Sequence, residues 1–363
     1  MSIFDRALNR IQENMAREIN CIPWGLPRFE LYNPGIIKKR YSIITANSGV
    51  GKSLLTDHIY LYNVYDFYKN NPGLKVKIFY YSLEIDKETK LIQGIGRKLY
   101  MDYGITIDNK TLLSYSKNRC TEDIIEKINT TRDYFSALED ILDIFDDNIN
   151  PMGIYKQVVD YAQSNGKVFE KDFEFTQSDG SIEIKKRFDY YKSNHSDEYI
   201  FIIVDHAGLL TEEKGFDGTK TIKGTIDKHS GNMVRLRNRY GYNPVLIYQQ
   251  TAAKESNESF KLNKLEASRE GLGESKTPVR DCDIMLGLFS PALHEIPVYR
   301  KYDITKLRDN YRFIQVLKDR YGEPNIATHL YFNGAVGFFK ELPKAEDMTL
   351  DIYNNIHKLA IPK

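Results

Sequence analysis

Four things are scarce in this chain of 363 residues: cysteine, tryptophan, long apolar runs and net charge. The three cysteines, Cys21, Cys120 and Cys282, show neither paired nor metal-ligand spacing. That excludes a disulfide framework and a zinc cluster, and free thiols fit a reducing cytoplasm, the expected location. No apolar run approaches membrane-spanning length, and Met1-Ser2-Ile3-Phe4-Asp5-Arg6 lacks the basic-then-apolar pattern of a signal peptide. No membrane partner is therefore expected. A formal charge of +1 excludes a generally basic protein, so any nucleic-acid contact must come from a local surface. Tryptophan occurs once, whereas 26 tyrosines and 18 phenylalanines supply core and some candidate stacking surfaces.

What is present is organised around Ala46-Asn47-Ser48-Gly49-Val50-Gly51-Lys52-Ser53. The apolar run Tyr41-Ser42-Ile43-Ile44-Thr45 reads as a buried strand. Leu54, Leu55, His58, Ile59, Tyr62 and Tyr65 follow on one helix face. Strand, loop, Gly-Lys-Ser and helix make a nucleotide-triphosphate loop, with Ala where its commonest form begins with Gly. Gly49 and Gly51 let successive N–H groups turn toward one anion at the positive end of the helix. Lys52 can then reach the β- and γ-phosphates, and the Ser53 hydroxyl is placed to ligate Mg²⁺. ATP and Mg²⁺ are the expected cofactors, with Ala46, Asn47, Ser48, Gly49, Val50, Gly51, Lys52, Ser53 and Leu54 as the binding segment.

Along the chain, Phe4, Leu8, Ile11, Met15 and Ile19 form a narrow apolar stripe on a charged helix spanning about 3–19. Further strands are expected at 76–82, 199–205, 244–248, 283–289, 311–317, 327–332 and 336–339, with a short one at 144–147. Helices are expected over 134–144, 155–163 and 226–239, and another opens at Thr121-Glu122-Asp123. Alternation on both sides of Ser178-Asp179-Gly180 marks a hairpin, inserted at about 167–197. Glu84, Asp205 and Gln249 each stand at the carboxyl end of a strand, the edge where ligands sit in open α/β sheets. Asp205, closing the apolar run 199–204, suits the magnesium-site carboxylate; Glu84 suits the base that orients water, and Gln249 a polar group sensing the γ-phosphate.

The ordered pattern resembles the motor domain of the DnaB-type replicative helicases, within the RecA-like hexameric ATPases. Ile22-Pro23-Trp24-Gly25 with Gly35-Ile36 resembles that family's lead-in, Ala46 to Ser53 its phosphate loop, and Ser82-Leu83-Glu84 the segment with the catalytic glutamate. Val204-Asp205 is similar to its Walker B aspartate and Tyr248-Gln249 to its sensor glutamine. Glu274-Ser275 with Arg280-Asp281-Cys282-Asp283, then Lys318-Asp319-Arg320-Tyr321-Gly322 and Phe332-Asn333-Gly334, complete it. The resemblance implies an α/β, RecA-like P-loop NTPase with a mostly parallel central sheet flanked by helices, plus the inserted hairpin. It implies a linker-type helix at 1–20, a motor domain at 21–345 and a tail at 346–363.

The implied activity is an ATP-dependent DNA helicase, a homo-oligomeric, hexameric ring moving along single-stranded DNA during replication. Lys318 and Arg320 would complete a neighbour's ATP site, and a primase or loader is a possible partner. In such a ring the loops after Asp205 and Gln249 face the centre, making Lys214, Lys220, Lys223, Lys261, Lys264 and Arg269 candidate DNA contacts. A RecA-type recombinase filament and an ATP-switched loader or scaffold without unwinding activity are the alternatives. His206-Ala207-Gly208 and Gly273 depart from the family pattern, and only the amphipathic helix precedes the motor in this sequence. A compact motor with its own hairpin is compatible with a bacteriophage origin.

Overall fold

A computed structural model describes residues 2–17, 19–147, 149–195, 197–214, 218, 220–251, 265–323 and 325–360. In chain order its first strands are β1 (Ser42–Ala46), β2 (Lys75–Ser82), β3 (Leu142–Phe145), β4 (Gly166–Thr176), β5 (Ile182–Ser193) and β6 (Glu198–Asp205). Then come β7 (Asn243–Gln249), β8 (Ile284–Phe289), β9 (Val298–Tyr299), β10 (Tyr302–Asp303), β11 (Tyr311–Asp319), β12 (Ala327–Asn333) and β13 (Phe338–Glu341).

Nine of these strands form one sheet in the order β13-β12-β11-β8-β1-β7-β6-β2-β3. β8, β1, β7, β6, β2 and β3 are mutually parallel, and β11, β12 and β13 extend the sheet in antiparallel steps. Both faces are covered, which is why these strands read as unbroken apolar runs. Ile44, Tyr80 and Ile203 pack on one side with Leu55 and Ile59. Their chain neighbours Ile43, Tyr81 and Ile202 pack on the other with Val158 and Met233.

The expected strands are present, several with one or two more residues. The strand expected at 336–339 is β13, two residues later, the first helix ends at Ala16, and a third boundary moves further. The helix expected over 134–144 is Arg132–Glu139, and the strand expected at 144–147 is β3, two residues earlier. Ile141 and Leu142 continue the helical apolar spacing, but Ile141 closes a turn on the Leu138 carbonyl. Leu142 to Phe145 then pair with Ile78 to Tyr81, so ladder bonds displace helix propagation.

The first helix, Ile3–Ala16, starts from a capping box in which Ser2 and Asp5 exchange hydrogen bonds. None of its residues is buried, and Ile3, Phe4, Leu8, Ile11 and Met15 are exposed. Arg6–Asp189 (3.4 Å) and Arg17–Asp197 (2.8 Å) tie it to the body. β4 and β5 pair along their whole length around the Asp179-Gly180 turn, with Gly180 in the left-handed region at φ +85°. The base of this hairpin packs Phe188 and Tyr191 on Tyr240, while Phe175, Ile182 and Ile184 farther out are exposed.

Two interior histidines set an acid limit. Burial and the Arg97 guanidinium, whose Nη2 lies 2.9 Å from Nδ1, push His58 well below its ordinary value. Burial alone pushes His229 down to about 3. The unfolded chain protonates both near pH 6.5 and the folded chain does not, so νU exceeds νN and stability falls as pH drops from 6.5 toward these depressed values. Each contributes about 1.4 kcal/mol per pH unit in that window. Thermal melts from pH 7.5 to 5 are expected to show a falling Tm, and His229→Leu should remove one proton's share of the slope. An unchanged slope in that variant refutes the assignment.

Candidate active site

β1 delivers Ala46 to the top of the sheet, where the chain must reverse into a helix. Gly49 (φ +71°) and Gly51 (φ +104°) make that reversal in the left-handed region, and a Cβ on Gly51 would lie 3.3 Å from the Phe332 ring. The helix begins at Lys52 and runs through Thr56 into a π-helical stretch, Asp57–Tyr62, and then Asn63–Lys69. Within the loop, Lys52 Nζ donates to the Asn47 carbonyl at 3.1 Å, and the buried Asn47 Oδ1 has no hydrogen-bond donor.

Strand register assembles the opposite wall. Ser82 on β2 lies beside Asp205 on β6, and Leu83 N–H donates to the Asp205 carbonyl at 2.8 Å. Ser53 Oγ donates to Asp205 Oδ1 at 3.0 Å, so the helix hydroxyl and the strand-tip carboxylate share one point. Glu84, exposed two residues past β2, lines the same cleft of about 450 Å³ with Ser53, Asp57 and Asp205. The turn at 334–337 closes its far side. Gln249 is exposed at the tip of β7 beside Ala46. The Asp205–His206 peptide is cis, and His206 Nδ1 accepts from Gly208 N–H at 3.1 Å.

The donor set fits a magnesium nucleotide. A glycine-opened loop of N–H groups, one lysine and a Ser–Asp pair suit a polyphosphate with a hard cation, which takes its remaining ligands from phosphate and water. Among the described residues no cluster of three or more His, Cys, Asp or Glu side chains could hold a metal by itself.

Lys318 and Arg320 are elsewhere. β11 runs antiparallel to β8, placing Asp319 opposite Ile284, the first residue of β8, whereas the phosphate loop leaves the last residue of β1. The two therefore sit at opposite ends of the strands, separated by roughly 15 Å of strand. Lys318 Nζ donates to the carbonyls of Val279 (2.7 Å), Arg280 (3.0 Å) and Cys282 (2.6 Å). Arg320 Nη1 lies 3.1 Å from the Asp283 carboxylate, which also receives Arg237 Nη1 (2.7 Å) and Tyr41 N–H (2.9 Å). Between them, the buried Asp319 side chain accepts from Asn33 Nδ2 (2.9 Å) and pairs with Arg40 (3.5 Å). Asn33 in turn accepts from Trp24 Nε1 at 3.1 Å.

The candidate DNA residues are dispersed. Lys214 and Lys220 are exposed and face each other in an isolated bridge. Lys223 pairs with Asp227 at 3.7 Å. Arg269 Nε donates to the Leu317 carbonyl of β11, which ties its guanidinium to the sheet. Lys261 and Lys264 lie outside the described residues.

Two features beneath the cleft were not singled out from the sequence. Gln250, next to Gln249, is buried: its Nε2 donates to Thr45 Oγ1 (2.9 Å) and the Ser268 carbonyl (3.0 Å), joining β1 to the chain that follows β7. Asp57, Tyr80 and Lys90 form a buried polar trio. Burial, with Asp57 and Asp205 close by, raises the Tyr80 hydroxyl well above its ordinary value and keeps its proton on. The available signal was Asp57 one turn beyond Ser53 and Lys90 one turn into the helix Lys87–Tyr103, polar residues at positions that packing then buries.

A phosphate loop on a mostly parallel sheet, with Asp205 ending one strand and Glu84 just past the end of its neighbour, defines a RecA-like P-loop fold. No family model and no curated protein sequence matches the chain. Among solved structures, it superposes on one described as an ATPase domain with a TM-score of 0.68 at 16% identity, covering 94% of this chain and all of that one (100%). A DnaB-like replicative helicase, described with its interactions with primase, gives a TM-score of 0.67 at 16% identity, with 94% of this chain and 69% of that chain covered. The chain thus shares its fold with that ATPase domain and with the matching part of that DnaB-like helicase. No helix among the described residues is long and apolar enough to cross a membrane.

Proposed function

We propose that this chain is an ATP-hydrolysing DNA helicase motor that assembles with copies of itself into a hexameric ring and moves along single-stranded DNA during replication. The observation that carries this reading is the placement of Lys318 and Arg320 at the end of the strands opposite the phosphate loop. A finger there serves another subunit's site. A contact that gives at one end and receives at the other is heterologous, the kind that closes into rings.

Within one subunit the roles divide by geometry. Lys52 and the loop N–H groups hold the phosphates, Ser53 and Asp205 hold the cation, and Glu84 orients the attacking water. Mg²⁺, when bound, neutralises charge on the phosphates. Gln249, beside Ala46, links the γ-phosphate to the loop after β7, and Gln250 anchors that loop from below. Lys214, Lys220 and Lys223 contact the strand's phosphates. The exposed stripe on Ile3–Ala16 suits docking on the adjacent subunit, as a linker-type helix does. The primase described with the DnaB-like neighbour makes a primase, or a loader, a candidate partner here.

Particle imaging with an ATP analogue and single-stranded DNA tests this. Closed rings encircling the strand, with unwinding of a tailed duplex, are the expected result. Open filaments that exchange strands, or monomers whose turnover ignores DNA, refute it.

A further inference from the structure

We propose that Tyr80 is a positioning residue for the Asp205 carboxylate, with its hydroxyl aimed by a buried Lys90–Asp57 ion pair; this rests on reading the cleft as a magnesium-nucleotide site. The two charged side chains are 2% and 6% exposed and 2.7 Å apart. Lys90 Nζ also lies 2.7 Å from Tyr80 Oη and sits over the Tyr80 ring, 4.3 Å from its centroid. The phenol oxygen is 2.9 Å from Asp57 Oδ1 and 3.4 Å from Asp205 Oδ2.

Donor counting gives the trio its direction. An ammonium has no acceptor, so Tyr80 Oη must accept from Lys90, and its single proton is then shared between Asp57 Oδ1, the shorter branch at 2.9 Å, and Asp205 Oδ2, the longer at 3.4 Å. Asp57 already receives Lys90 on Oδ2. The Asp205 carboxylate is thereby met at both oxygens: Ser53 Oγ donates to Oδ1 from the helix, and the longer branch of the Tyr80 hydroxyl reaches Oδ2 from the neighbouring strand. Two donors from two elements fix the rotation of a carboxylate that ends a strand and whose angle sets where a cation is held.

The alternative for these three positions is an apolar plug. A buried ion pair seldom stabilises more than well-packed apolar side chains of the same volume, so its presence needs a use. The use here is orientation: without Lys90 the phenol would rotate freely between donating and accepting. Asp57 reaches the trio from the π-helical stretch one turn below Ser53, so the hydroxyl that meets the cation and the carboxylate that anchors the trio share one helix.

Tyr80→Phe keeps the ring and removes only the hydroxyl. In the full chain, binding of a fluorescent ATP analogue is measured across a Mg²⁺ titration and again in EDTA. Loss of one hydrogen bond to a charged group should raise the Mg²⁺ half-saturation about tenfold, with binding in EDTA unchanged. A half-saturation unchanged from wild type overturns the proposal. So does an equal loss with and without Mg²⁺, which would make Tyr80 part of the packing only. Asp57→Asn/Lys90→Met removes both charges and leaves the phenol. It should raise the half-saturation by a smaller factor, about threefold, and no change would remove the ion pair from the device. A wild type that binds no analogue overturns the reading of the cleft itself, and is told apart from the other outcomes because it precedes any variant.

Discussion

Arg320→Ala assemblies are expected to bind nucleotide normally and to turn it over roughly 10³- to 10⁵-fold more slowly, the range by which a finger supplied in trans accelerates phosphoryl transfer. The substitution is clean because Asp283 is not left uncompensated. Its carboxylate keeps Arg237 at 2.7 Å and the Tyr41 N–H at 2.9 Å, and the lost side chain was 39% exposed. Folding should therefore survive, which Arg237→Ala would not guarantee. The sharper measurement mixes Arg320→Ala subunits with Lys52→Ala subunits. Each is expected to be inactive alone, one lacking the proposed finger and the other the proposed phosphate lysine. Where an intact loop meets an intact finger, a complete site returns. Random one-to-one assembly makes about a quarter of heterologous interfaces complete, so about a quarter of the activity should reappear. No recovery in a mixture shown to co-assemble would remove Lys318 and Arg320 from the site.

Glu84→Gln should retain nucleotide affinity while hydrolysis falls by about 10²- to 10⁴-fold, the contribution of a positioned general base. Glu84 follows Ser82, which the β2–β6 register holds beside Asp205, and it lines the cleft without belonging to the phosphate loop. The carboxamide has the same shape, so the loop, Ser53 and Asp205 should be undisturbed. Equilibrium binding and phosphate release, measured on one preparation, separate the two effects. Turnover near wild type would make Glu84 a bystander and move the search for the base elsewhere on the cleft wall.

The elements that the sequence announced most clearly are those buried on both faces. Residues 199–205 and 244–248 read as strands because no polar residue interrupts them, and both lie in the middle of the sheet. β3 lies at its edge, is four residues long, and follows a helix whose apolar spacing runs on into Ile141 and Leu142. Local periodicity could not place that boundary, because cross-strand pairing with β2 decides it. The phosphate loop was legible because its chemistry is contiguous. The trio of Asp57, Tyr80 and Lys90 was not, since its members come from a helix, a strand and a second helix, and only the fold brings a lysine within 2.7 Å of a phenol. Lys318 and Arg320 were legible as a pattern, but their placement at the end of the strands away from the loop follows only from the antiparallel turn of β11.

The lone indole has a consequence of a different kind. Trp24 is buried between Phe29 and Tyr60, and its N–H holds Asn33, the residue whose amide grips Asp319 between Lys318 and Arg320. The chain therefore carries its own optical label at the root of the β11–β12 turn that holds Lys318 and Arg320. No second tryptophan dilutes the emission, and no dye needs attaching. When that turn moves, the indole's hydrogen bond is the second link to feel it, so movement there can be followed by ultraviolet fluorescence in the unmodified protein.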